Sequence, residues 1–206
     1  MAAARFITST VTRGRLRRSE KLSVTDEEIM ACYAGGDSHS FKEIFARWAP
    51  RLHGYFLRVT GASGDADDLL QATFLKVHRS RTSFHPEMGL RGWLFTIAAR
   101  VRKDETRRRS RHPSGADPAQ AEELAAPDEG DPAVARERAS AVRAALGRLP
   151  DSQREVIYLH RFEQMTFAEI ATVLGTSEGA VKLRAFRGYE KLREELAPLF
   201  EEDQAA

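Results

Sequence analysis

Residues 112–133 constrain this chain more than any other stretch. They hold Pro113, Pro118, Pro127, Pro132, Gly115 and Gly130. Proline lacks the amide proton that helices and ladders use, and glycine loses the most conformational freedom on ordering. A structureless loop this long does not belong inside a compact domain, so it marks a boundary. The 206 residues therefore divide into an arm at 1–23, a first block at 24–111, a linker at 112–133 and a second block at 134–200. Each block is large enough for one small domain.

The formal net charge is only +2, but the charges are segregated. Residues 1–24 carry six bases against Glu20, and residues 100–111 carry seven against Asp104 and Glu105. Residues 112–135 carry six acids and no Lys or Arg. Basic clusters suit a polyanionic partner, although a charge run is otherwise just a solvated face. The arm is rich in Arg, Ser and Thr but lacks the apolar core of a secretory signal, and reads as a flexible basic extension.

Apolar residues recur with helical spacing in both blocks, and nothing alternates with period two, so the expected class is all-α. Thr25 and Glu28 form a capping box for a short helix ending at Gly35-Gly36. Asp37 suits the cap of a second helix with the stripe Phe41, Ile44, Phe45, Trp48, Leu52, Tyr55 and Phe56, which Pro50 should kink or split. A third helix covers about 65–79. The loop 80–89 follows, and then a fourth helix with Trp93, Leu94, Ile97, Ala98 and Val101 inward. Cys32, the one cysteine, reads as a small buried residue. In the second block a stripe through Val134, Val142, Ala145 and Leu149 ends at Pro150, and Asp151 suits the next cap.

The most informative local pattern is at 166–196. Thr166 and Glu169 form another capping box, Gly175 suits a left-handed turn, and Ser177 suits the following cap. Helix, tight turn, helix is a helix-turn-helix. On a helical wheel Val181, Ala185, Gly188 and Leu192 share the buried face. The opposite arc carries Gly179, Lys182, Leu183, Phe186 and Arg187. Cations there reach phosphates or guanine edges, and apolar groups touch thymine methyls.

Enzymatic chemistry finds no support. The six histidines (His39, His53, His78, His85, His112, His160) are scattered without metal-ligand spacing, and there is no phosphate-binding glycine loop or nucleophile elbow. No catalytic residue, metal or cofactor is expected, and no apolar run approaches the roughly 18 residues of a membrane span. A stand-alone helix-turn-helix regulator with a sensing or dimerising first domain remains the alternative to the reading that follows.

Two separated motifs resemble one family in the right order. DADDLLQATFLKVHR (65–79) is similar to region 2.2 of the extracytoplasmic-function sigma factors, and LRGWLFTIAARVRKDETRRR (90–109) to regions 2.3 and 2.4. The stretch 149–196 resembles region 4. The resemblance implies two small helical domains, a region 2 domain at 24–111 and a region 4 domain at 134–200, in a cytoplasmic factor that lends promoter specificity to core RNA polymerase. It implies core docking through Asp68, Gln71, Ala72 and Leu75, with Ala72 where the family usually has Glu. It implies −10 recognition and melting through Ser83, Phe84, His85, Arg91, Arg100, Lys103 and Arg107, with Ala99-Arg100 where Arg-Asn is common. Phe84 packing back onto its own domain is an equal expectation, and Trp93 reads as core. The −35 element would be read by Ser177, Gly179, Lys182, Leu183, Arg184, Phe186 and Arg187, with Leu183 where Ser is common. The implied partners are the largest subunits of the polymerase, promoter DNA and, as often in the family, an anti-sigma factor. The stretch 112–135 would reach up to about 80 Å extended, enough for two promoter elements on the order of 50–70 Å apart.

Overall fold

The computed structural model describes residues 24–61, 63–111 and 132–202. The arm at 1–23 and the acidic stretch at 112–131 lie outside them. The described residues form helices and two short 3-10 turns, with no strand among them. Helices α1 (Asp26–Ala34), α2 (Ser38–Thr60), α3 (Ser63–Ser80) and α4 (Leu90–Arg111) make the first unit. The 3-10 turns Arg81–Ser83 and Pro86–Met88 join α3 to α4. Helices α5 (Pro132–Gly147), α6 (Asp151–Arg161), α7 (Phe167–Leu174) and α8 (Glu178–Glu202) make the second.

Local chemistry sets the boundaries. The Thr25 side chain accepts from the Glu28 amide, and the Glu28 carboxylate accepts from the Thr25 amide at 2.8 Å. Asp37 accepts from the His39 amide at 3.0 Å and from Ser40 Oγ at 2.7 Å, starting α2. Gly61 takes φ 74°, where a Cβ would be strained, and its amide closes α2 on the Leu57 carbonyl. Asp151 is not a cap. The helix begins one residue earlier, with Pro150 at the N-cap position, so Asp151 lies in the first turn and pairs with Arg154 instead.

Several expectations about side chains change. Helix α2 runs unbroken through Pro50. The ring forfeits one backbone hydrogen bond, while Trp48, Leu52, Tyr55 and Phe56 stay buried on both sides of it and hold the helix together. Cys32 is exposed, because Ile29, Met30 and Tyr33 take the inward arc of α1. Phe45 and Val142 are also largely exposed, at the margins of stripes carried by Ile44 and Ala145.

The first half of α4 is buried on nearly all sides. Trp93, Leu94, Ile97 and Ala98 are buried, as expected, and Val101 is half-buried, but Leu90, Phe95 and Ala99 are buried as well. The second unit explains the broad burial: α7 packs against α4, and α6 against α2. Buried apolar residues of both units join in one continuous core. The sequence anticipated two helical units but not their docking.

At the distal end of α4, Glu105 accepts from Arg108 and Arg109, and Arg109 also pairs with Asp65 at the start of α3. Hydrogen bonding from Arg108, opposed by slight burial and reinforced by Arg109, holds the Glu105 carboxyl at about 2, below its ordinary 4.5. The depressed value means that this clasp contributes stability above pH 4.5 and loses it as pH falls toward about 2. Acid unfolding of Glu105→Gln should therefore show a shallower loss of stability across that window than the parent chain; equal slopes would contradict the clasp.

Helix α8 approaches α6 closely at Gly188, where an added Cβ would sit 2.7 Å from Ile157 Cδ1. The end of the Ile157 side chain can swing aside for one methyl, but not readily for a branched group. Gly188→Val should cost about 1–3 kcal/mol by overpacking, and Gly188→Ala much less. Thermal unfolding of the two variants checks this ordering.

Candidate functional site

Three faces carry the residues singled out from the sequence. The first is on the helix-turn-helix. Thr166 caps α7 in a capping box with Glu169. Gly175 adopts φ 63° and permits the sharp turn, and Ser177 Oγ accepts from the Ala180 amide at 3.2 Å to start α8. Val181 and Ala185 are buried, as is Gly188. This fixes the opposite arc outward. Ser177, Gly179, Lys182, Leu183, Phe186 and Arg187 are all exposed, and Arg184 is half-buried. Phe186 is 63% exposed and Leu183 49%, which is a real cost for apolar groups in water and needs a reason. Lys182 pairs with Glu178 at 2.7 Å, an exposed contact that a phosphate can replace at little expense.

The second face is on α3. Asp68, Gln71, Ala72 and Leu75 are exposed together, with Leu75 at 49%. Asp68, Ala72 and Leu75 border a groove of about 590 Å³ between α3 and α4, whose other walls include Leu69, Val101 and Arg108. The groove therefore has an apolar floor and a charged rim.

The third face does not stay together. Arg100, Lys103 and Arg107 lie exposed along α4, and Ser83 and His85 are exposed in the preceding loop. Phe84 is 8% exposed and packs edge-on against Trp93 at 5.3 Å. Of its two expected fates, it takes the one within its own domain. Arg91 turns to the second unit, donating to the Glu163 carbonyl and to the Glu169 carboxylate, both at 2.8 Å. Hydrogen bonding from Thr166, opposed by burial and helped by Arg91, holds Glu169 below its ordinary range, so it accepts as a carboxylate.

Arg91 belongs to a seam that sequence reasoning missed. Glu155 of α6 is 3% exposed. Its carboxylate accepts from Tyr55 Oη and from Arg102, with Arg102 Nη2 at 2.5 Å and Nε at 3.1 Å. Burial, then the Glu155 charge, pushes the Tyr55 hydroxyl well up, so it remains a donor. Burial alone would pull Arg102 down, but the Glu155 charge, the Tyr55 oxygen and the hydrogen bonds to both together more than offset it. Alongside, Glu163 pairs with Arg51 at 2.5 Å. Arg58 lies over the Tyr158 and Phe162 rings, which stack at 5.2 Å. One signal was available: Glu155 and Tyr158 of α6 and the residue that caps it, Phe162, fall on a single arc. Nothing local indicated that α2 and α4 would receive it.

The comparisons agree with this arrangement of elements. A family model described as Sigma-70 region 2 matches residues 44–112, and one described as Sigma-70, region 4 matches residues 139–192. The RNA polymerase sigma factor CarQ of Myxococcus xanthus is 41% identical over 177 residues, covering 82% of this chain and 97% of that protein. The ECF RNA polymerase sigma factor SigM of Mycobacterium tuberculosis is 33% identical over 173 residues, covering 82% and 83%. Among solved structures, the sigma factor RpoE in complex with the anti-sigma factor NepR from Bartonella quintana has a TM-score of 0.64 at 25% identity, covering 76% of this chain and 96% of that one. CnrH in complex with the cytosolic domain of CnrY has a TM-score of 0.62 at 28% identity, covering 84% and 97%. A first unit bearing the region 2 match and a second built around the helix-turn-helix of region 4 place this chain among the extracytoplasmic-function sigma factors.

Proposed function

We propose that the chain binds core RNA polymerase and directs promoter-specific initiation, with the work divided between the first unit (24–111) and the second (134–200). The observation that carries this reading is the outward arc of α8. Two large apolar side chains stand in water beside Lys182 and Arg187 on a helix whose buried face is fixed by Val181 and Ala185. A helix presented in this way enters a major groove, where cations meet phosphates or guanines and Leu183 and Phe186 meet thymine methyls. Ser177 and Gly179 lie at its N-terminal end, where the backbone approaches most closely, and Arg184 reaches toward phosphate.

The face of α3 is assigned to the polymerase. Asp68 and Gln71 offer acceptors to basic side chains, and Leu75 with the exposed Ala72 supplies apolar area. The −10 element is assigned to Ser83, His85 and the cations Arg91, Arg100, Lys103 and Arg107. Cations that bind a displaced strand help offset the few kcal/mol per base that melting costs. Phe84 would take part only if it left Trp93. The relatives are initiation factors and not catalysts, so bond formation belongs to the polymerase, and the place of action is the cytoplasm. No helix among the described residues is long and apolar enough to cross a membrane. The solved neighbour RpoE is in complex with the anti-sigma factor NepR, which supports a partner of that kind for this chain.

Transcription in vitro with core polymerase tests the assignment. Lys182→Ala with Arg187→Ala should lose discrimination between −35 variants by about 1–3 kcal/mol per altered contact; unchanged output from every variant would refute it. Asp68→Ala with Gln71→Ala should reduce co-purification with core polymerase while leaving the helical spectrum intact, and normal co-purification would count against the α3 face. Tight sequence-specific binding of duplex without polymerase would favour the stand-alone regulator instead.

A further inference from the structure

Six bases precede the first helix, Arg5, Arg13, Arg15, Arg17, Arg18 and Lys21, against one acid, Glu20. Five of the six are arginine, whose planar fork suits bidentate contact with phosphate or carboxylate. Thr8, Thr10, Thr12 and Ser19 stand among them, and hydroxyls also donate to phosphate oxygens. A charge run with nothing to meet is only a solvated tail. Two features of the folded residues at its root set this one apart.

The root is pinned in place. Arg47 of α2 donates to the Val24 carbonyl at 3.3 Å and to the Asp26 carboxylate at 2.8 Å, and it also pairs with Glu43. The capping box of Thr25 and Glu28 turns the chain into α1. In that first turn the Glu27 carboxylate accepts from the Leu90 amide at 2.9 Å, so α1 begins against the N-terminus of α4. Helix α1 also packs on the 3-10 turn Arg81–Ser83. The arm therefore joins the first unit at the edge that carries the exposed Ser83 and His85 and the start of α4. The arginines at 13–18 lie six to eleven residues before Val24, within at most about 40 Å of it.

The acids around the root are already engaged. Asp26 and Glu43 accept from Arg47, Glu27 from the Leu90 amide and Glu28 from the Thr25 amide. Each has a donor, so the counter-charge for the arm comes from elsewhere.

We propose that the arm is a further DNA-binding element, which holds the phosphodiester backbone of promoter DNA at the opened segment beside the 83–85 loop. The inference rests on reading the chain as an initiation factor. It adds Arg13, Arg15, Arg17 and Arg18 to the DNA-contacting residues, as backbone contacts that stabilise the complex without reading sequence. The phosphates belong either to the displaced strand or to the duplex that borders it.

The test uses the full chain assembled with core polymerase, and directed transcription by that parent complex checks the sigma-factor reading separately. Anisotropy follows binding of labelled promoter DNA, opened at the −10 element by mismatches, over a series of salt concentrations. Replacing the four arginines at 13, 15, 17 and 18 with Gln should weaken binding about tenfold or more at low salt. The slope of log K against log salt should become shallower by about 3 to 4, since each cation contributes roughly 0.7 on single strands and 0.9 on duplex. Lys at the same positions keeps the charge and should keep the slope. A second probe that ends at the opened segment separates the two sources: a loss on both probes assigns the arm to the strand, and a loss only on the longer one assigns it to the bordering duplex. A benzophenone side chain placed at Ser19 should cross-link to DNA at the opened segment. An unchanged slope on both probes would overturn the proposal, as would a slope lost as fully with Lys as with Gln, or cross-links confined to the −35 half. A parallel loss of core polymerase co-purification would give the arm to the polymerase instead. Disappearance of the effect once Glu122, Glu123, Asp128 and Glu129 are made neutral amides would give it to the acidic stretch of this chain, and either result would also overturn the proposal.

Discussion

The Glu155 carboxylate is the constraint on which the docked arrangement depends. It is buried, and its partners Tyr55 and Arg102 come from helices of the other unit about 50 to 100 positions away. Removing one partner from a buried ion pair typically costs about 3–5 kcal/mol, because the remaining charge has no answer. Separating the units as a whole is cheaper, because water then reaches both charges. The pair therefore enforces alignment more than it supplies stability: the second unit docks with Glu155 seated or it does not dock tightly at all. The Tyr55 and Tyr158 rings, 5.6 Å apart, and the Arg58 contacts then follow from that seating.

This organisation bears on the order of events in initiation. In the docked form the outward arc of α8 and the outward face of α3 are already free. On the proposed −10 face, by contrast, Arg91 is held by Glu163 and Glu169. With α3 as the proposed polymerase face, that contact can form before the units part. The proposed strand contacts near Arg91 wait until it leaves Glu163 and Glu169. A partner that binds the separated form shifts the balance only by its differential affinity for that form. The ion pairs at the seam thus set how much of the binding energy of polymerase and promoter goes into opening.

What was legible in the sequence follows the range of the interactions involved. Both capping boxes, the Gly175 turn and the Val181–Ala185–Gly188 face are encoded within a few residues, and each is found where the pattern put it. Errors came where a local rule met tertiary packing. Pro50 neither splits nor ends α2, because buried residues on both sides hold the helix, and Cys32 faces outward because its neighbours fill the inward arc. The seam was invisible for a different reason. Phe95 and Ala99 widen the apolar face of α4 in a way that could mark burial from a second direction, yet nothing near them names α7 as the element that packs there. Pairings such as Arg51 with Glu163 join residues on either side of a proline-rich stretch that reads as a separator. Arg91 was assigned to DNA by resemblance to the family's melting segment, and its docked partners became apparent only in three dimensions.

The central claim is that one chain alternates between a docked form held at Glu155 and a separated form competent for promoter binding. The single native cysteine, Cys32, is exposed on α1 and takes one spin label; Glu194→Cys on the exposed side of α8 takes the other. Pulsed electron double resonance then measures the distance between the units in the free protein and in its complex with core polymerase and promoter DNA. The account predicts a short, narrow distribution for the free chain and a shift to markedly longer distances in the complex. Identical distributions in the two samples, or a broad long-distance distribution already present in the free chain, would contradict it.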